Sequence, residues 1–159
     1  MNDTLLWQIR HFVYQHFADT THAPNMDITA AHFNISIEEA IAYYKELHNR
    51  HALFLDLETL TVRMANPFSG IPTDFKVHAN GKTYYANCAW DMLGIPATLH
   101  TDAVIEAVCT ESNEAIQLEI KNGNIALGGV PAAEDGDGSN LFVHFPLPFA
   151  RWYDDLTFT

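Results

Sequence analysis

The apolar residues of this chain change period along its length, and that change limits the possible folds more than any other feature. Leu5, Leu6, Ile9, Phe12, Val13 and Phe17 recur at helical spacing and predict one amphipathic helix from about Thr4 to Ala18. A short helix is expected from near Asp27 to Phe33 or Asn34. Ser36-Ile37-Glu38-Glu39 reads as a capping box, which opens a third helix through Ala40, Ile41, Tyr44 and Leu47 to near Arg50. Phe54 to Leu57 and Leu60 to Met64 then alternate like strands around a turn at Glu58-Thr59.

From Asn66-Pro67 onward the pattern is one of short strands and turns. Phe75 to His78 and Thr83 to Tyr85 flank Asn80-Gly81, a two-residue hairpin signal. A short helix fits Asn87 to Leu93, with Gly94 and Pro96 expected to stop it. Further strands are expected at Ala103 to Cys109, Ala115 to Ile120, Asn124 to Leu127 and Leu141 to Phe145. The fold expected is α+β. A winged helix-turn-helix-like helical lobe (residues 1–65) is followed by a small mixed β-sheet lobe with one embedded helix (residues 66–159).

Helices followed by a hairpin invite a DNA-binding reading, so charge decides. The 159 residues include 8 Lys and Arg against 20 Asp and Glu, a net charge of −12. The candidate recognition helix carries Lys45 and Arg50 against Glu38, Glu39 and Glu46. Phosphate contacts need concentrated cations, so nucleic acid is not the expected partner, nor is an anionic membrane surface, and a DNA-binding regulator stays only as a minor alternative. A hydrophobic fraction of 48% excludes disorder as a description of the whole chain. No run approaches ~18 consecutive apolar residues, and the first residues lack the features of a signal peptide. The cytoplasm is the expected compartment, with Cys88 and Cys109 both reduced. Nothing in the sequence sets the oligomeric state.

The pairing with chemical potential is Cys88 and Asp91. On a helix, residues three apart share a face, with β-carbons roughly 5–6 Å apart. A cysteine in the first turn meets unpaired amide N–H groups and the positive end of the helix dipole, which favour a thiolate. The nearby carboxyl opposes this, and one of the two acids tends to keep its proton. The residues alone leave two readings open, a reactive thiol beside an acid or a small buried side chain.

The block from Asn66-Pro67-Phe68-Ser69-Gly70 to Thr73, then Val77 to Gly81, then Tyr85-Ala86-Asn87-Cys88-Ala89-Trp90-Asp91-Met92-Leu93-Gly94-Ile95-Pro96, resembles the organomercurial (alkylmercury) lyase family. Ile105 to Thr110 continues the likeness, which is strongest over residues 62–110. The resemblance implies protonolysis of a carbon–mercury bond, giving a hydrocarbon and Hg(II). It places mercury capture on Cys88, as ligand and nucleophile, and proton delivery on Asp91. Thiolate is the natural ligand of so soft a cation. The family also carries a second catalytic cysteine in a carboxy-terminal strand, and no cysteine follows Cys109 in this sequence. Cys109 is expected to be a buried structural thiol. No resident cofactor is expected, although an external small thiol could supply the missing ligand. The alternative is a non-catalytic relative that binds a soft metal or a thiol-reactive ligand through Cys88, as a sensor or for sequestration.

Other candidates are weaker. Asp135-Gly136-Asp137 begins like a calcium loop, but the sixth position is Asn140 and the twelfth Pro146. A solvated acidic loop is expected there. The nine histidines include no zinc-protease pair, and His48 and His51 are expected at a helix end. Phe145 to Phe149 reads as an extended segment, with Trp152 and Tyr153 as core or as pocket cover.

Overall fold

The computed structural model describes residues 1–109, 111–127, 142–145, 147, 148, 151 and 152. Helix α1 (Asp3–Thr20) begins at Asn2, whose side chain accepts the amides of Thr4 and Leu5, and buries Leu6, Ile9, Val13 and Phe17. Helix α2 (Met26–Phe33) is capped by Asn25 and closed by Asn34 in the left-handed region. Helix α3 (Ile37–Asn49) opens on the expected capping box: Glu39 N–H donates to Ser36 Oγ (3.1 Å), and Ser36 N–H donates to Glu39 Oε2 (2.9 Å). Tyr43, Tyr44 and Leu47 of α3 are buried against the other helices.

Strands β1 (Phe54–Leu55), β2 (Val62–Ala65) and β3 (Phe68–Ser69) form a three-stranded sheet in that order. The first strand is shorter than expected because the Asp56 carboxylate accepts the amides of Glu58 and Thr59 and turns the chain at once. The expected turn falls where the sequence places it, whereas β3 goes unforeseen.

The second sheet has the order β5-β4-β6-β7-β8. Its strands are β4 (Lys76–Ala79), β5 (Lys82–Tyr85), β6 (Ala103–Val108), β7 (Ala115–Lys121) and β8 (Asn124–Leu127). Asn80 and Gly81 have φ of 51° and 72°, as a two-residue hairpin turn with both central residues left-handed requires. Asn122-Gly123, with φ of 51° and 76°, makes a second such turn between β7 and β8. Neighbouring strands are antiparallel throughout the described residues, so the sheet is not mixed. Because β4 is antiparallel to both flanking strands, β5 and β6 run parallel with β4 between them. Helix α4 (Ala89–Leu99) makes the crossing from one to the other.

Two further expectations need correction. The helix does not stop at Leu93; α4 runs through Gly94 and Pro96 to Leu99, closed by His100 at φ 51°. A proline removes one helical hydrogen bond and costs about 3 kcal/mol in a helix interior. Here Met92 and Ile95 are buried in the core and offset that loss. Gly94 lets the helix approach Pro67 closely, since a β-carbon there would stand 3.1 Å from Pro67 Cβ. The strand expected at Leu141 to Phe145 is absent from residues 142–145, while Leu141 lies outside the described residues. The acidic loop at Glu134 to Asn140 and Tyr153 lie outside them too.

One apolar cluster runs from Leu6 and Phe17 of α1 to Ile105 and Leu118 of the larger sheet. Phe17 stacks on Phe68 (centroids 5.4 Å apart, planes at 5°), and Tyr84 Oη donates to the Ala18 carbonyl across 2.7 Å. This packing holds the start of α4, which follows β5 directly, against β3: Ala86 bridges to Phe68. Among the described residues no helix is long and apolar enough to cross a membrane.

Candidate active site

Residues 86–91 carry the chain from the edge of the larger sheet into α4. Cys88 is the N-cap, in extended conformation (φ −153°, ψ 178°), one step before the helical turn in which it was expected. Asp91 occupies the first turn and is 9% exposed, one of three buried polar or charged residues among those described. The Cys88 thiol donates to Asp91 Oδ2 across 3.6 Å. The three-residue spacing therefore does bring the two side chains together. Asn87 joins them, its Nδ2 lying 3.2 Å from Asp91 Oδ2, 3.1 Å from Asn66 Oδ1 and 3.2 Å from the Phe68 carbonyl.

The electrostatics depart from expectation in direction. Burial pushes the Cys88 thiol above its ordinary pKa, and the charge of Asp91 adds to this. The amides of Asp91 and Trp90 favour the thiolate, yet the sulfur makes no capping hydrogen bond, and loss of water outweighs the helix end. Burial likewise raises the Asp91 carboxyl, against the opposing hydrogen bonds from Asn87 and Cys88. Burial thus raises both groups, and the pair is suited to share one proton between a soft nucleophile and an oxygen acid.

Trp90, 56% exposed in the first turn of α4, meets Phe145 edge-on at 5.9 Å, and Phe145 stacks on Trp152 at 5.3 Å. Trp152 is half-buried and donates its indole N–H to the Leu147 carbonyl. Cys109 is half-buried, not buried, because it lies just past β6 where the chain turns. Its thiol is held below the ordinary range by hydrogen bonds from Ser112 and from the amides of Ser112 and Glu111. His48 and His51 sit at the end of α3 around Phe54, as expected, with His48 Nδ1 accepting the Leu55 amide. No group of three or more His, Cys, Asp or Glu side chains gathers as a metal site among the described residues.

Sequence reasoning overlooked Asn87 and Asn66 as parts of the site. The available signal was a polar amide placed immediately before Cys88, inside an otherwise apolar helix entry.

The family model for MerB alkylmercury lyases matches residues 68–153, a stretch that includes Cys88 and Asp91. The solved mercury-bound form of MerB2 is similar in fold, with a TM-score of 0.61 at 21% sequence identity. The similarity covers 75% of this chain and 58% of that one, so the chain spans little more than half the length of this relative. No curated protein matches.

Proposed function

This chain belongs to the alkylmercury lyase family, and from that premise we propose that Cys88 and Asp91 cleave the carbon–mercury bond of a small organomercurial. The observation that carries the reading is the hydrogen bond from the Cys88 thiol to the buried Asp91 carboxyl at the entry to α4. As mercury binds the Cys88 sulfur, the thiol proton passes to Asp91 Oδ2. A small external thiolate adds to the same mercury and pushes electron density onto the carbon. Asp91 then gives its proton to that carbon, the C–Hg electron pair becomes the C–H bond, and the hydrocarbon leaves. Hg(II) remains on sulfur and departs with further small thiols. The S–H and C–Hg bonds break while S–Hg and C–H bonds form, so no oxidant or reductant is needed.

Raised pKa values suit this sequence, since the resting pair stores the proton that the carbon will receive. No resident cofactor enters the scheme. A reducing cytoplasm, where small thiols abound, is the compartment such chemistry fits. The test is benzene release from phenylmercury with excess small thiol, followed by gas chromatography. Benzene above the thiol-only background, lost in Cys88→Ala, is the expected result. No benzene, with intact-mass data showing mercury retained on Cys88, would replace this reading with that of a soft-metal binder.

A further inference from the structure

We propose that Asn87 is a positioning residue, whose side-chain N–H holds Oδ2 of Asp91 toward the Cys88 sulfur; this rests on the reading of that pair as the proton-transfer site. Two donors converge on the one carboxyl oxygen: the Cys88 thiol at 3.6 Å and Asn87 Nδ2 at 3.2 Å. When mercury takes the place of the thiol hydrogen, the first of these bonds is lost. Asn87 is then the remaining described partner of Oδ2, and it keeps the oxygen aimed at the metal and its carbon.

The orientation of the amide is set by its surroundings. Asn66 Oδ1, the Phe68 carbonyl and Asp91 Oδ2 all face Nδ2, three acceptors around two hydrogens. Turning the amide over would set Asn87 Oδ1 against three oxygens. As placed, Asn87 Oδ1 is buried with no hydrogen-bond partner among the described residues. A buried unpaired acceptor is destabilising, and a side chain of the same shape without polar atoms would avoid it. An amide in this environment, with its acceptor unpaired and its donor facing three oxygens, points to a demand for its donor. Its two other acceptors come from Asn66 and β3, so the Asp91 carboxyl is tied to the neighbouring sheet and not to its own helix alone.

Two measurements test this. In Asn87→Leu, which matches the shape without the donor, turnover of phenylmercury should fall about 10–100-fold in kcat with little change in KM, as when a supporting hydrogen bond behind a reactive group is removed. Mercury capture by Cys88 should stay stoichiometric by intact mass. The second readout needs neither turnover nor that variant: in wild-type protein one Asn87 side-chain proton should exchange slowly with water by NMR, and faster in Asp91→Ala. Wild-type kcat in Asn87→Leu, or exchange unchanged by Asp91→Ala, would overturn the proposal. If wild-type protein releases no benzene, the lyase reading falls, and the exchange measurement still decides whether Asn87 holds the carboxyl.

Discussion

The Cys88 thiol and the Asp91 carboxyl share a hydrogen bond of 3.6 Å while both are held above their ordinary pKa values, chiefly by burial. Cys109, at the turn beyond β6, is displaced the other way. The two thiols should therefore separate in a pH series of alkylation by iodoacetamide, since the thiolate is the reacting species. Cys109 should react at lower pH than an ordinary cysteine, and Cys88 at higher pH. In Asp91→Asn the carboxylate charge that opposes the Cys88 thiolate is gone, so the Cys88 profile should move to lower pH. Peptide mapping of the alkylated sites reads all three outcomes.

Removing the carboxyl proposed as proton donor while sparing the thiol proposed as ligand should divide capture from cleavage. Asp91→Ala is expected to retain one mercury per protein on Cys88 and to lose hydrocarbon release by about 10²–10⁴-fold, the range of a general acid. Unchanged turnover in that variant would remove the role assigned to Asp91.

Gly70 lies beside β2, and a β-carbon there would stand 1.9 Å from the Val62 carbonyl oxygen. The obstacle is backbone, so the strand must move to make room. Gly70→Ala should lower the urea midpoint by the equivalent of about 3 kcal/mol, the upper part of the usual range for overpacking, with an unchanged m-value. A wild-type midpoint would show that β2 and β3 separate more easily than their pairing implies.

Tyr44 is fully buried, its hydroxyl 2.7 Å from Thr29 Oγ, and burial pushes its pKa up to about 12. The unfolded chain loses this proton first, near 10. Stability from the neutral hydroxyl is therefore intact below about pH 10 and declines as pH rises toward 12. Tyr44→Phe should lose about 1 kcal/mol at neutral pH, with the Thr29 hydroxyl still bonded to the Asn25 carbonyl. Its stability should also lack the Tyr44 share of the alkaline decline, measured by urea unfolding between pH 9 and 12.

What the sequence determined by itself is what local spacing determines. The capping box of Ser36 and Glu39, the left-handed turn at Asn80-Gly81 and the meeting of Cys88 with Asp91 each involve residues within three positions of one another. Their geometry follows from helix and turn dimensions whatever surrounds them. Asn122-Gly123 follows the same rule, although it is not among the turns expected from the sequence. The tertiary structure decided what depends on distant neighbours. Gly94 and Pro96 look like a stop, but α4 continues because Met92 and Ile95 bury in the core and Gly94 fits against Pro67. The helix end would favour a Cys88 thiolate, but loss of water reverses the direction, and burial is a property of the packed chain. Asn87 reaches its partners Asn66 and Phe68 across a separation of about twenty residues, because stacking of Phe17 on Phe68 and the bridge from Phe68 to Ala86 bring β3 beside the entry to α4. Spacing placed the thiol beside the acid; long-range packing raised the pKa of both and brought the Asn87 amide against the carboxyl.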